Sequence, residues 1–504
     1  MKRLAAVLVA LVFATALAGR ESDTLNVAFE RTMLTLDTYA TSERLALIVA
    51  HNVADTLIHR NATTNEFEPH LATSWEWASP TELVLKLRQG VKFHNGDDFS
   101  AADVAATLNW VVGEGAGLAG TGTLQWIDHV EVVDPYTVRI VSRALTPTAI
   151  ETLALVGVIY PASIIGREGG AVELGQHPVG TGPYAFVSND NNKLKFERFD
   201  DYFVGSKTMP AIKNLVIHTL PEEASRIAAL MTGDIDIVRS GGISPDQAMA
   251  LGSRAHAEAA DILRIWFVQF DATASSGSNY FTDARVRRAV AHAIDKHEIV
   301  EVLLSGYGNV IDVPCNPVQF GCQSDAAVVY DYDPVEARRL LAEAGYPDGF
   351  TVDIFGYRDQ QVVQAIQGYL EEVGIRTNLQ WYGGQYDVVA KRLAAGELPL
   401  YVGSWGSSSV YDASAVLNIH FEKGDVGEFT VGTDDTIDEA VRRALETVDL
   451  DERMQLYATA IHEITNEAFM FPLYAGRVVA GVSNDVLWQP SPDEIERYYD
   501  ASWR

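Results

Sequence analysis

Residues 398–412 (LPLYVGSWGSSSVYD) combine an apolar run with a dense group of aromatic and polar side chains. The apolar run is typical of a buried strand, and it leads into Trp405, Gly406, Ser407 and Ser408. An aromatic plate beside flexible backbone and several hydroxyl groups fits the lining of a ligand pocket. The same residues also fit a surface loop next to a core tryptophan. This stretch alone leaves both interpretations open.

Sequence patterns of common hydrolases and nucleotide-binding enzymes are incomplete in this chain. Residues 180–182 (GTG) are followed by proline and a predicted strand, so they lack the loop-into-helix arrangement that holds phosphate. His462 and Glu463 begin like a zinc-protease helix, but Asn466 stands where the second histidine must lie. The serines around Trp405 miss the nucleophile-elbow spacing. We therefore predict no enzymatic activity, no cofactor and no catalytic residue.

Further candidate ligand residues flank the ends of predicted strands. Tyr357 and Arg358 follow the predicted strand 351–355, and Trp381 and Trp266 occupy similar positions. An arginine at the carboxyl end of a strand points into the crevice of an α/β sheet, where its fork matches a carboxylate. The alternative for Arg358 is a surface ion pair with its neighbour Asp359, and the alternative for the tryptophans is core packing.

Length and charge limit the class of protein. A chain of 504 residues exceeds the usual size of a single core, so two or three lobes are expected. The formal net charge is −30, which disfavours binding to nucleic acid and to anionic lipid surfaces. We predict a protein without nucleic-acid partners and without direct membrane insertion, and a monomer.

The first 18 residues have the parts of a secretory signal peptide. Lys2 and Arg3 precede an apolar run, and Ala16-Leu17-Ala18 forms a small-residue cleavage site. Removal of residues 1–18 takes away two basic residues and no acidic one, which changes the net charge from −30 to −32. No cysteine near the cleavage point is available for a lipid anchor. The mature protein is expected to be exported and periplasmic.

The chain has two cysteines, Cys315 and Cys322. Export to an oxidising compartment and the short spacing with proline and glycine between them favour a disulfide that closes a small loop. The alternative is a pair of free thiols. Two cysteines without further ligands nearby fall short of a tetrahedral metal site.

Several segments carry local signals of secondary structure. Residues 45–58 have apolar side chains at helical spacing, and residues 75–77 with 83–87 form a predicted hairpin. Ser100 and Asp103 predict a capping box at the start of a helix. Asp333, Pro334 and Glu336 predict another.

Taken in order, these segments and further motifs resemble the large extracytoplasmic solute-binding proteins of ABC transporters, in the dipeptide, oligopeptide and nickel-binding family. The resemblance extends over nearly the whole mature chain. The further motifs are residues 178–186 (PVGTGPYAF), 199–203, 210–217, 226–237 (RIAALMTGDIDI), 283–295 (DARVRRAVAHAID) and 332–345 (YDPVEARRLLAEAG).

The resemblance implies an α/β protein with the bilobal periplasmic-binding-protein fold, of type II and of the large cluster C type with an extra small domain. A solute would be enclosed between two lobes by hinge closure. The implied division is residues 19–50, 180–268 and 469–504 for lobe I, 51–179 for the additional small domain, and 269–468 for lobe II.

The implied function is capture of a small organic solute for an inner-membrane ABC permease. Arg358 and the family favour a short peptide or a peptide-like carboxylate. Peptide-binding relatives place an aspartate shortly after the tryptophan that aligns with Trp405, whereas this chain has Ser408 there and its first acid is Asp412. Asp412 is therefore the candidate partner of a ligand's ammonium group.

Other solutes remain open: an oligosaccharide, an opine, a glutathione-like compound or a metal chelate. His420 is the histidine nearest to residues 398–412, and as an isolated histidine it does not indicate a metal site, so we predict none. An exported hydrolase and a chemoreceptor or chaperone-like accessory are the alternatives from other classes.

Overall fold

The computed structural model describes residues 23–203, 205–424 and 432–504, except for the side chains of Asp387 and Ser408. The predicted signal peptide, residues 1–18, lies outside the described residues. Among the described helices, none combines the length and the apolar character needed to cross a membrane.

The helices follow the motifs that sequence patterns indicate. In chain order they are α1 (Arg44–Val53), α2 (Ala101–Val112), α3 (Ala149–Leu155), α4 (Ala162–Ile165), α5 (Gly170–Gln176), α6 (Glu223–Thr232), α7 (Pro245–Met249), α8 (Ala284–Ala293), α9 (Lys296–Glu298), α10 (Pro334–Glu343), α11 (Gln360–Glu372), α12 (Tyr386–Ala394), α13 (Ser414–Phe421), α14 (Asp435–Ala444) and α15 (Leu450–Asn466).

The strands are interspersed with these helices along the whole chain. In order they are β1 (Thr24–Phe29), β2 (Ile58–Arg60), β3 (Phe67–Pro69), β4 (Ala72–Ser79), β5 (Glu82–Leu87), β6 (Ile127–Asp134), β7 (Thr137–Ser142), β8 (Tyr184–Asp190), β9 (Lys193–Arg198), β10 (Asn214–Thr219), β11 (Ile237–Val238), β12 (Ala255–Phe270), β13 (Gly308–Val310), β14 (Phe350–Gly356), β15 (Ile375–Trp381), β16 (Leu400–Trp405), β17 (Met470–Ser483), β18 (Val486–Leu487) and β19 (Ser502–Trp503).

Most strands belong to one large mixed sheet of order β15-β14-β16-β12-β17-β11-β1-β10-β9-β8, with β13 beside β17. A separate four-stranded sheet of order β4-β5-β7-β6 contains the predicted hairpin. Two-stranded sheets, β2-β3 and β18-β19, complete the described strands.

Strands β12 and β17 carry the large sheet from one half of the molecule to the other. They pair in antiparallel register from Ala255 with Ser483 to Gln269 with Met470. At one end of this ladder β17 also pairs with β11, and at the other end β12 also pairs with β16. The ladder is irregular between residues 261 and 265.

Buried apolar side chains divide the molecule into three bodies, named here by their cores. The core of lobe A comes from residues 25–53, 184–237 and 480–501. The core of the small domain comes from residues 39–174, and the core of lobe B from residues 265–475. The boundaries given above for lobes I and II and the additional domain stay predictions.

Local signals predicted helix starts better than helix ends. The Ser100 capping box is present, and Asp333 accepts hydrogen bonds at the start of α10. Glu336 was expected to complete a capping box at α10, but its carboxylate binds Arg339 instead. The predicted helix over residues 45–58 ends at Val53, because the backbone becomes extended at Ala54 before β2.

A buried ion pair fixes the end of α1 in lobe A. The Lys207 ammonium group lies 2.8 Å from the Asp55 carboxylate and donates hydrogen bonds to the carbonyls of His51 (2.8 Å) and Ala54 (3.0 Å). His70 Nε2 lies 2.9 Å from the same carboxylate. Burial alone would raise the pKa of Asp55, but the charges of Lys207 and His70 outweigh burial and hold that pKa far below its usual range.

Replacing Lys207 with methionine should leave the buried Asp55 carboxylate without its ammonium partner, with His70 and the hydroxyls of Thr181 and Tyr202 as the remaining donors. Removal of one partner of a buried ion pair costs about 3–5 kcal/mol, so Lys207→Met should lower the free energy of unfolding by that amount in chemical denaturation. Lys92→Met is the matched control, since Lys92 pairs with Asp98 at the surface. A similar small loss for both variants would contradict the structural role of Lys207.

Buried histidines should make the stability depend on pH. Burial lowers the pKa of His51 to about 3, so the folded protein keeps this ring neutral while the unfolded chain takes up a proton below pH ~6.5. Stability contributed by His51 is therefore present above pH ~6.5 and is lost as the pH falls toward 3, at about 1.4 kcal/mol per pH unit.

The measurement is the free energy of unfolding between pH 7 and pH 4. His51→Gln should reduce the slope by about 1.4 kcal/mol per pH unit, because an amide still donates to the Leu155 carbonyl but does not titrate. His129→Gln is the control, since His129 is exposed and its pKa is raised by Asp128. An unchanged slope in His51→Gln would refute the assignment.

Candidate functional site

The carboxyl ends of β14 and β16 in lobe B lie next to residues 261–265 of β12, where the β12–β17 ladder is irregular. Strands β14 and β16 are parallel, with Gly356 beside Val402, and β12 runs antiparallel to β16 with Ile265 opposite Trp405. This register gathers side chains from three strands at one edge of the sheet. We call them the strand-end cluster: Arg264, Trp266, Tyr357, Arg358, Trp405 and Gly406.

An aromatic stack supports one side of the strand-end cluster. The rings of Trp266 and Tyr474 are nearly parallel, with centroids 5.0 Å apart and an interplanar angle of 16°. The indole nitrogen of Trp266 donates to Asp359 at 2.7 Å. Tyr357 is buried, and its hydroxyl lies 3.3 Å from the Ser404 hydroxyl. Trp266 is half-buried, so part of its ring faces outward from this stack.

Trp405 is half-buried and is anchored on one side to lobe B. Its indole nitrogen donates to the Ala415 carbonyl at 2.6 Å, and its ring meets His420 edge-on with centroids 5.7 Å apart. Burial lowers the pKa of His420 to about 3, so the imidazole under Trp405 is neutral at physiological pH. The tryptophan is therefore held in one orientation by contacts within lobe B.

The glycines on either side of Trp405 provide space for larger side chains. A Cβ atom on Gly403 would lie 2.3 Å from the Tyr401 ring, and one on Gly406 would lie 2.7 Å from Arg264 Nη2. Gly406 has a φ of −99°, which any residue adopts, so glycine at this position serves to leave room for the Arg264 side chain and not to permit an unusual backbone conformation. The two glycines thus allow a tyrosine ring and a guanidinium group to approach the backbone.

Arginines give the strand-end cluster a local positive charge. Arg358 is exposed, with its guanidinium 5.7 Å from the centroid of the Tyr357 ring. Its neighbour Asp359 accepts the hydrogen bond from Trp266, and no ion pair joins Arg358 to any residue that the structure describes. Burial lowers the pKa of Arg264, and repulsion by Arg358 and Arg44 adds to this shift while Glu494 opposes it.

The turn after Gly406, residues 407–411, extends from lobe B to contact lobe A and the small domain; we call it the docking turn. Ser407 and Ser409 have left-handed backbone conformations, with φ of 52° and 66°. The Ser409 hydroxyl donates to the Asp493 carbonyl at 2.7 Å and accepts from Arg44, the first residue of α1. The Tyr411 amide donates to Glu151 in the small domain at 3.1 Å. The strand-end cluster therefore lies at the junction of lobe B with lobe A and the small domain.

Comparison with known proteins connects this architecture to one family. Residues 66–428 match the family model described as "Bacterial extracellular solute-binding proteins, family 5 Middle". This chain belongs to family 5 of the bacterial extracellular solute-binding proteins. The match confirms the resemblance inferred from the motifs. Proteins of this family are the solute-binding components of ABC importers, so the chain captures a solute for an ABC permease.

Individual relatives of this solute-binding protein cover almost the whole chain. The glutathione-binding protein GsiB of Pectobacterium atrosepticum is 26% identical over 494 residues, which are 94% of this chain and 93% of GsiB. The structure of HbpA2 from Haemophilus parasuis superposes with a TM-score of 0.83 at 22% identity, over 95% of this chain and all of HbpA2.

A third similar structure is the dipeptide-binding protein of Pseudoalteromonas sp. SM9913 in complex with Met-Leu. Its TM-score is 0.77 at 22% identity, and the match covers 95% of this chain and all of that protein. These neighbours confirm the predicted bilobal periplasmic-binding-protein fold of the solute-binding protein.

Asp412 is placed differently from the expectation of a ligand-facing acid. Its carboxylate accepts from Arg453 at 2.7 Å and from the Tyr457 hydroxyl at 2.8 Å, and the residue is buried. Asp412 also caps the turn before α13 by accepting from the Ser414 amide. Both carboxylate oxygens of Asp412 are therefore used inside lobe B, and the carboxylate that we offered to a ligand's ammonium group serves Arg453.

Cys315 and Cys322 are joined by a disulfide in the structure, and the loop between them holds the docking turn. The Gln319 amide donates to the Val410 carbonyl at 2.7 Å. The Asn316 amide donates to the Ile262 carbonyl at 2.8 Å, inside the irregular part of the β12–β17 ladder. The disulfide loop therefore links the turn after Gly406 to the strand segment that carries Arg264.

Three further predicted ligand residues are Ser407, Ser408 and Trp381. Ser407 is buried, and its hydroxyl has no hydrogen-bond partner within the described ranges. The side chain of Ser408 lies outside the described part. Trp381 is half-buried and lies beside Gly356, and β14 separates its strand from that of Trp405. Their contact with a ligand stays a prediction.

Sequence reasoning missed Arg264 and Arg44. Arg264 lies within the apolar segment of β12, which reads as a core strand, and only the polar interruption in ILRIWFVQF marked it. Arg44 opens α1, where a charged residue is ordinary. The register of β12 against β16 brings Arg264 opposite Gly406, and this long-range pairing leaves no local pattern.

Asp412 and Arg453 should be strongly coupled in stability. Asp412→Asn and Arg453→Met should each lower the free energy of unfolding by about 3–5 kcal/mol, since each leaves a buried charge without its partner. The double variant should lose less than the sum of the single losses. Chemical denaturation of the four proteins measures this coupling, and additive losses would contradict the buried pair.

Proposed function

We propose that this solute-binding protein binds a short peptide or a peptide-like carboxylate between lobes A and B. The Arg358 guanidinium receives the carboxylate, the Trp266–Tyr474 stack supports the ligand's apolar part, and Trp405 covers it. The docking turn closes over the ligand when the lobes meet. The residues proposed for contact are Trp266, Tyr357, Arg358, Trp381, Trp405, Gly406, Ser407 and Ser408.

The state of Arg358 is the observation that supports this proposal most strongly. Its guanidinium lies at the carboxyl end of β14 without an ion pair to any described residue, while Asp359, the alternative partner, binds Trp266. Arginine binds carboxylates through two parallel hydrogen bonds and is suited to a peptide terminus. A sugar offers no anion, which makes it a poorer match for this group.

Glutathione is the first compound to test. The Pectobacterium atrosepticum relative is named for glutathione binding, and its match spans both lobes and the small domain of this chain. Glutathione is peptide-like and carries free carboxylates, in agreement with an exposed arginine at the lobe junction.

The proposal extends to the setting in which the protein works. It acts as a monomer outside the cytoplasmic membrane after removal of residues 1–18, without a lipid anchor, and it releases its solute unchanged to the permease. Incubation of the protein with bound peptide, followed by recovery of intact peptide, supports a binding role against a hydrolytic one. Cleavage of the peptide would contradict it.

Calorimetric titration tests the ligand class. Peptides of two or three residues and glutathione should bind, and amidation of the carboxyl terminus should weaken binding about 10- to 100-fold, the effect of losing a charge-assisted hydrogen-bond pair. Arg358→Met should weaken binding of the free-acid peptide by the same factor and leave binding of the amidated peptide unchanged. Arg376→Met, an exposed arginine on β15, is the matched control.

Oligosaccharides and nickel–histidine chelates complete the panel. Binding of either of these with no binding of any peptide would overturn the proposed ligand class. Equal affinity of the free-acid and amidated peptides would overturn the role of Arg358.

A further inference from the structure

Arg264 is a second guanidinium group at the same edge of the sheet, on a different strand from Arg358. It lies one residue before Ile265, which pairs with Trp405, and its Nη2 atom would be 2.7 Å from a Cβ on Gly406. Trp266, two residues further on β12, is hydrogen-bonded to Asp359 beside Arg358. The two arginines therefore both lie close in sequence to the hydrogen-bonded pair of Trp266 and Asp359.

The Arg264 guanidinium lies in the space that a side chain at position 406 would occupy. Gly406 has an ordinary φ of −99°, so the absence of a side chain there serves the approach of the guanidinium to the backbone. The next residue, Ser407, is buried with a hydroxyl that lacks a hydrogen-bond partner among the described residues. Arg264 on β12 and Ser407 in the turn after β16 therefore provide donors on either side of Gly406.

The nearby carboxylates are shared with other groups. Glu494 favours the charged form of Arg264 and also forms an ion pair with Arg44 at 3.7 Å, and Asp359 accepts a hydrogen bond from Trp266 at 2.7 Å. In the described ranges, Arg264 itself has no hydrogen bond and no ion pair to another residue. A half-buried guanidinium offers five donors in a fixed fork, and the fork matches the oxygens of an anionic group.

We propose that Arg264 is a specificity-determining residue that binds a second anionic group of the ligand, so that the protein selects acidic peptides with two carboxylates. This inference rests on the proposed function, in which Arg358 holds the first carboxylate. Gly406 leaves room for the Arg264 guanidinium beside the backbone, and the presence of two arginines on different strands would distinguish dicarboxylic from monocarboxylic peptides.

The test compares ligands that differ in one carboxylate. The pairs are Glu-Ala-Ala with Gln-Ala-Ala and Ala-Glu-Ala with Ala-Gln-Ala, which keep the carboxyl terminus and change only the side-chain carboxylate, each titrated by calorimetry. The parent protein should prefer the dicarboxylic member of at least one pair by about 10- to 100-fold. Arg264→Met should remove this preference and change the affinity for the monocarboxylic member less than about threefold.

Two further variants separate a specificity role from a structural one. Gly406→Ala should also reduce the preference, because the new methyl group displaces the Arg264 guanidinium, and Arg264→Lys should retain part of it. Arg358→Met should lower the affinity for both members of each peptide pair. Thermal unfolding of each variant without ligand confirms that it is folded.

The possible failures are distinguishable. If the parent protein binds peptides but shows no preference within any pair, or if Arg264→Met weakens both members equally, the role of Arg264 is wrong and the peptide function stands. If no peptide binds while a sugar or a metal chelate does, both proposals are wrong.

Discussion

The pairing of β12 with β17 is the interaction on which the rest of the structure depends. These two strands carry the backbone hydrogen bonds of the large sheet from lobe A into lobe B, so relative movement of the lobes has to be absorbed along them. Their ladder is irregular between residues 261 and 265, where extended pairing gives way to a local change of register. Arg264 lies in this segment, so a ligand group bound there touches the part of the sheet that must adjust.

The charges around the junction are distributed unevenly in a strongly acidic protein. Lobe B neutralises Asp412 internally with Arg453, and Asp359 is engaged by Trp266. The strand-end cluster itself contains two arginines and no acidic residue, although the whole chain has a net charge of −30. Asp359 beside Arg358 keeps its charge, so the Asp412–Arg453 pair is the one that removes an acid from the junction. Arg264 and Arg358 have no ion pair within the described residues and are the groups that an anionic solute would contact.

Much of the fold follows from local sequence signals, and much of the site does not. The hairpin β4-β5 and the Ser100 cap depend on residues close in sequence, and both were predicted. The use of Asp412 inside lobe B was not foreseen because its partner, Arg453, is 41 residues away and has no local signal of its own in the sequence. Arg264 was missed because its importance comes from strand register. The glycines beside Trp405 were noticed correctly, but the side chains that fill their space are distant in sequence.

Contact between the lobes and the proposed recognition of the solute depend on different residues: the docking turn makes the contact, and the strand-end cluster faces the solute. The turn meets lobe A and the small domain through the Ser409 hydroxyl on the Asp493 carbonyl and through the Tyr411 amide on the Glu151 carboxylate, so each contact joins one side chain to one backbone group. The side chains of the strand-end cluster take no part in these two hydrogen bonds. Replacing an arginine of the cluster would therefore change which solute is accepted without removing the hydrogen bonds that join the two halves.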